Sequence, residues 1–215
     1  MRCDESTMQL YAVTDRTWLG GHTLYEQVEE ALRGGVTCIQ LREKNLSEEE
    51  FLAEAIAICR LCKQYGVPFI INDNLEIAQK CGADGVHVGQ DDMRPDEVRR
   101  RVGDGMIIGV TAPTVEEAVE AEKRGADYLG AGAVFQTGTK SNTVALSYET
   151  LWDICASVQI PVVAIGGITR TNLMSLAGSG VSGVAVVSVV FAAENVRAAS
   201  EELLELSGKM TGHIL

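Results

Sequence analysis

Eight short apolar runs of strand length, rich in β-branched residues, recur along this chain with helix-like segments between them. They cover residues 8–15, 37–43, 68–73, 85–89, 106–112, 127–134, 161–167 and 183–189. Between them lie amphipathic stretches such as LYEQVEEALRGG (24–35), PDEVRRRVG (95–103), TVEEAVEAEKRG (114–125) and ENVRAASEELLELSG (194–208), with the helical apolar period, acidic first turns and glycine at their ends. Strands alternating with helices imply parallel β-α units. Eight such pairs in 215 residues fit a closed (β/α)8 TIM barrel better than an open sheet. A doubly wound sheet is the alternative, but its G-x-G-x-x-G phosphate turn does not follow the first strand. No linker divides the chain, so a single domain over 1–215 is expected, with residues 1–7 as a flexible N-terminal tail. The segments RGGVTCIQ, CGADGVHVG, RGADYLGAG and SGVSGVAVV each join a helix-ending glycine to a new strand, a faint repeat in keeping with approximate quarter symmetry.

A net charge of −12 argues against non-specific nucleic-acid binding, which needs a basic footprint. It also makes any local cluster of cations informative, because the surrounding field would repel an anionic ligand. No apolar run approaches the roughly 20 residues of a membrane span. The opening MRCDEST lacks the basic and apolar regions of a signal peptide, so a cytoplasmic protein is expected. A homo-oligomer is compatible with the sequence. Cys59 and Cys62 form a C-x-x-C, but they lie about one turn apart in the helical stretch 47–66, with no second pair or nearby histidine to complete a zinc set. They read as reduced packing thiols, and His87, within a strand, as a satisfied structural residue.

In QLREKN, residues 40–45, long polar side chains occupy every second position after the apolar start of a strand. Strand residues alternate in direction, so Gln40, Arg42 and Lys44 emerge on one face. Leaving such groups unpaired inside a barrel would cost several kcal/mol each. They therefore need an anionic partner. Active sites of barrels lie at the C-terminal strand ends, where this chain also places Asn72-Asp73, Asp92, Thr111, the loop FQTGTKSNT and Gly166-Gly167. Asp73 and Asp92 suit Mg²⁺ shared with a ligand phosphate. Thr137, Gly138, Thr139 and the IGG turn offer hydroxyls and backbone amides for phosphate, and Arg42, Lys44 and Lys140 add positive charge. Taken together, these residues suit two phosphorylated groups, one of them metal-bound.

QLREK, NDN, HVGQDD, TGTK and AIGGI, in this order, resemble the thiamine phosphate synthase family nearly from end to end. The resemblance implies a barrel that joins hydroxymethylpyrimidine diphosphate to a thiazole phosphate, giving thiamine phosphate and diphosphate. It implies that Gln40, Leu41, Arg42, Glu43, Lys44 and Asn72 hold the pyrimidine diphosphate, that Asp73 and Asp92 bind Mg²⁺, and that Thr111 meets the pyrimidine. Thr137 to Thr139, Gly167, Val187 and Ser188 would bind the thiazole phosphate, and Lys140 the leaving diphosphate. Arg42, Lys44, Lys140 and Thr111 would be the catalytic set, acting with Mg²⁺ on a dissociative displacement beneath a mobile loop after Phe135. Two stretches depart from the family pattern. Thr111-Ala112-Pro113 replaces the usual Ser-Ala-His, and Gln136 replaces a proline. A thiazole tautomerase-like paralogue and a catalytically silent phosphate-binding barrel are the alternatives.

Overall fold

The computed structural model describes residues 3–90, 92–136 and 145–212. Its eight strands are β1 (Leu10–Val13), β2 (Cys38–Leu41), β3 (Phe69–Asn72), β4 (Gly85–Val88), β5 (Ile107–Thr111), β6 (Tyr128–Gly132), β7 (Val162–Ile165) and β8 (Gly183–Val186). Each lies inside the apolar run that marks it in the sequence. All pair in parallel and in chain order, and β8 returns to β1, so the sheet is a closed barrel. The fold is a (β/α)8 barrel.

Helix starts are written locally. Thr23 with Glu26 and Ser47 with Glu50 form capping boxes at α1 (Leu24–Arg33) and α2 (Glu48–Tyr65). Asn74 caps α3 (Leu75–Cys81), Pro95 opens α4 (Pro95–Val102), and Thr114 and Ser147 cap α5 (Val115–Lys123) and α6 (Tyr148–Ser157). A short α7 (Ser188–Phe191) and a long α8 (Val196–Thr211) follow β8. The connection from β7 to β8 differs from the eightfold pattern: it carries only a 3-10 turn, Leu173–Leu176. The sequence there ends its turn at Gly178 and Gly180, both at positive φ, before a second helical turn can form.

Strand alternation sorts the side chains into two cores. The larger, between sheet and helices, holds residues such as Ile39, Leu41, Ile71 and Val86. The smaller fills the barrel interior with Met8, Tyr11, Val13, Cys38, Ile70, Ile107, Tyr128, Val163 and Ala185. Residues 3–7, expected as a tail, form a turn: Asp4 accepts from the Ser6 and Thr7 hydroxyls, and Cys3 packs against the inner core. All six cysteines are free thiols, with Cys59 and Cys62 buried in α2. Among the described residues, no helix is long and apolar enough to cross a membrane.

Candidate active site

The C-terminal strand ends surround a cavity of about 510 Å³. Gln40, Arg42 and Lys44 all line it, as their alternation along one strand requires. The same rule sends Leu41 and Glu43 the other way, so neither is a cavity residue. Leu41 is fully buried in the outer core. The Glu43 carboxylate accepts from Arg16 Nε at 2.9 Å, and Arg16 also pairs with Glu54. Burial, then a hydrogen bond with Glu54, pushes the Glu43 carboxyl up to about 7 despite Arg16. Beneath the cationic strip, the buried Thr14 hydroxyl accepts from the Arg42 backbone N–H at 3.0 Å and anchors the end of β2.

The acidic residues sit beside these cations. Asp73 has a positive φ of 62°, a conformation that Asp tolerates better than most residues. Two backbone bonds hold it there: its N–H donates to the His87 carbonyl at 2.8 Å, and the Asn74 N–H to the Asn72 carbonyl at 2.7 Å. Its carboxylate accepts from Lys44 Nζ and from Asn72 Nδ2, both at 2.7 Å. Asp92, at the mouth, accepts from the Gly89 N–H at 2.7 Å. Of these residues, Lys44, Asn72, Asp73, Gly89 and Asp92 line the cavity.

Its floor is a hydrogen-bonded row. Gln40 Nε2 donates to the Tyr11 hydroxyl at 2.6 Å, which lies 2.8 Å from the Tyr128 hydroxyl. Tyr128 in turn meets His87 Nδ1 at 2.9 Å, and His87 Nε2 meets the Thr111 hydroxyl at 2.9 Å. Gln90 Nε2 donates to the Thr111 carbonyl. Both tyrosines are wholly buried, edge to face, with ring centroids 5.7 Å apart. Gly109, on the strand beside Tyr128, makes this possible: a Cβ there would stand 2.1 Å from the Tyr128 ring.

On the far wall, Gly166, Ile165 and Val187 line the cavity. Gly167 follows at φ 65°, its carbonyl accepting from Asn172 Nδ2 at 2.9 Å. A Cβ on Gly167 would come within 2.3 Å of the Gln136 carbonyl, so the loop after β6 begins pressed against this turn. Ser188 is exposed at the first residue of α7. Thr137, Gly138, Thr139 and Lys140, and with them the loop expected to move after Phe135, lie outside the described residues.

The structure thus gathers Gln40, Arg42, Lys44, Asn72, Asp73, Asp92, Thr111 and Val187 around one cavity. It adds Tyr11 and His87 to the lining, with Tyr128 behind them. His87 was legible only as a polar residue on the inward face of β4, one position before the strand end.

Cations, carboxylates and glycine turns at the C-terminal mouth of a closed barrel define an enzyme of the class that works on phosphorylated small molecules. Residues 10–190 match the family described as thiamine monophosphate synthase, and the chain belongs to that family. It is 47% identical to the thiamine-phosphate synthase of Ruminiclostridium cellulolyticum over 92% of this chain and 94% of that one. Identity to the thiamine-phosphate synthase of Clostridium tetani is 45%, over 90% and 93%. Among solved structures, thiamine phosphate pyrophosphorylase from Pyrococcus furiosus superposes with a TM-score of 0.88 at 40% identity, covering 97% of this chain and 99% of that one.

Proposed function

We propose that this chain is a transferase that couples hydroxymethylpyrimidine diphosphate to hydroxyethylthiazole phosphate, giving thiamine phosphate and diphosphate. The observation that carries the reading is the convergence of Gln40, Arg42, Lys44, Asn72 and Thr111 on one cavity, in a chain that matches named synthases over most of its length. Gln40, Arg42, Lys44 and Asn72 hold the pyrimidine diphosphate; Thr111 meets the pyrimidine. Gly167, Val187 and Ser188, with Thr137 to Thr139, form the thiazole phosphate side, and Lys140 takes the leaving group.

The thiazole nitrogen brings its own lone pair, so the reaction has little need of a general base. The demand falls on the departing diphosphate, whose oxygens gain charge as the C–O bond breaks. Arg42 and Lys44 line the same cavity and offer positive charge near where it develops. The pyrimidine's amino group can support positive charge on the methylene, which favours a dissociative course. Electrostatic positioning is the enzyme's main contribution.

Mg²⁺ belongs to the same reading, and the donor set suits it. Among the described residues no group of three or more His, Cys, Asp or Glu could hold a metal alone. Two carboxylates at the mouth, completed by water and ligand phosphate, are the hard oxygen set that Mg²⁺ commonly takes. Asp73 already holds a cation, the Lys44 ammonium. When bound, the metal would neutralise charge on the diphosphate. A cytoplasmic location accords with these substrates. The test is to incubate purified protein with both phosphorylated substrates and Mg²⁺ and to look for thiamine phosphate. Coupling should stop in excess chelator, return with Mg²⁺, and fall about a hundredfold or more in Asp92→Asn. Rearrangement of the thiazole without coupling would instead favour a tautomerase.

A further inference from the structure

We propose that His87 is a positioning residue for the pyrimidine. The hydrogen-bonded floor fixes its ring proton on Nε2 and so turns the Thr111 hydroxyl proton into the cavity, toward a ring-nitrogen lone pair of the substrate. The inference rests on the reading that Thr111 meets the pyrimidine.

The argument is a count of protons. Each tyrosine hydroxyl can donate one hydrogen bond and accept others. Burial holds both the Tyr11 and Tyr128 hydroxyls well above the ordinary tyrosine range, so each keeps its proton at working pH. Gln40 Nε2 donates to the Tyr11 oxygen at 2.6 Å. The Tyr11 proton then goes to the Tyr128 oxygen at 2.8 Å, and the Tyr128 proton to His87 Nδ1 at 2.9 Å. An imidazole that accepts at Nδ1 and is neutral carries its proton on Nε2. That N–H faces the Thr111 oxygen at 2.9 Å, which therefore accepts and keeps its own proton for the cavity that Thr111 lines. Were Tyr128 to donate to Tyr11 instead, the Tyr11 oxygen would receive two donors. Its proton would be left to the neighbouring Cys38 thiol, a weak acceptor.

The consequence is specificity. A fixed donor on a half-buried residue recognises an acceptor in the ring and disfavours an analogue in which that nitrogen is a C–H, because the donor is then left unpaired by the ligand that covers it. Neither His87 nor Tyr128 needs to touch the substrate for this.

The test is ¹⁵N NMR of the full chain without ligand, with the His87 ring signals assigned by their loss in His87→Asn. The wild type should show a protonated Nε2 and a bare Nδ1. Tyr128→Phe removes the donor to Nδ1 and should spread the ring over both tautomers, while Tyr11→Phe should leave the tautomer fixed, since Tyr128 still donates. In steady-state kinetics, Tyr128→Phe should raise KM for the pyrimidine diphosphate about tenfold and leave KM for the thiazole phosphate unchanged. A wild-type proton on Nδ1 would overturn the proposal; that is the pattern produced if the Gln40 amide is turned over and every bond reverses. So would His87 signals unmoved by Tyr128→Phe. If Tyr128→Phe fails to fold, the wild-type tautomer still decides the direction of the row. Thr111→Val with the tautomer intact and unaltered pyrimidine kinetics would overturn the link from row to substrate, and with it the placing of Thr111 on the pyrimidine, but leave the coupling reaction standing.

Discussion

Lys44→Met should tighten the hold of the ligand-free site on Mg²⁺ and, in the same protein, loosen its hold on a diphosphate. Lys44 Nζ lies 2.7 Å from Asp73, with the two side chains 50% and 32% exposed. A pair so open to water is worth at most about 1 kcal/mol. That sum is all the ammonium contributes against an incoming cation, so its removal should improve Mg²⁺ affinity by no more than about fivefold. Stability should change just as little, moving Tm by less than about 4 °C. With the pyrimidine diphosphate the sign reverses, because the variant loses a charged donor to phosphate. Such a bond is worth about 1.5–3 kcal/mol, or roughly 10- to 150-fold in affinity. Calorimetric titration with Mg²⁺, then with pyrimidine diphosphate at saturating Mg²⁺, reads both effects. Weaker Mg²⁺ binding by the variant, or unchanged diphosphate binding, would refute the placing of Lys44 between metal and substrate.

Arg42→Ala should fold normally and lose on the order of 2–3 kcal/mol in catalytic efficiency, read from kcat/KM for the pyrimidine diphosphate. Normal specific activity in a poorly folded variant would make Arg42 structural. Gly109→Ala should lose about 1–3 kcal/mol of stability in urea denaturation, because its Cβ meets the fully buried Tyr128 ring at 2.1 Å. Gly130→Ala should be tolerated, since its new methyl only touches the His87 ring at 3.4 Å. Glu43, raised to about 7 by burial, favours folding in its protonated form. Its contribution is present below the ordinary carboxylate range and is lost as pH rises through about 7. Wild-type stability should therefore decline from about pH 5 to pH 8 in denaturant titrations, and Glu43→Gln should flatten that decline.

Much of this was legible because the relevant rules are local. Apolar runs marked all eight strands, and period-two alternation put Gln40, Arg42 and Lys44 on one wall. The same alternation excludes Leu41 and Glu43 from that wall, although the family resemblance spans QLREK as a continuous block. The floor was not legible for a different reason. Tyr11 meets Tyr128 across 117 positions and Tyr128 meets His87 across 41, and strand register alone brings them together. Nothing near Tyr11 or Tyr128 in the sequence distinguishes it from an ordinary core aromatic. The 3-10 turn at Leu173–Leu176 was hidden likewise, since a barrel's strand count sets the number of connections but not what each contains.

The closure of β8 onto β1 sets a timetable for the nascent chain. Leu10, Tyr11 and Ala12 pair with Val184, Ala185 and Val186, and Ser207 on α8 donates its hydroxyl to the Gln9 carbonyl at 2.6 Å. At a synthesis rate of about 5–20 residues per second, β1 is made on the order of 10–35 s before the strand that seals it. Through that interval the growing sheet has an open edge at β1, the kind of edge that recruits other strands. The inner row from Tyr11 to Tyr128 can form earlier than the seal, because β6 precedes β8 in the chain. Ribosomes stalled after β6 would thus carry most of the cavity floor on a sheet that is still unclosed, and any chaperone dependence of this enzyme should fall in that last stretch of synthesis.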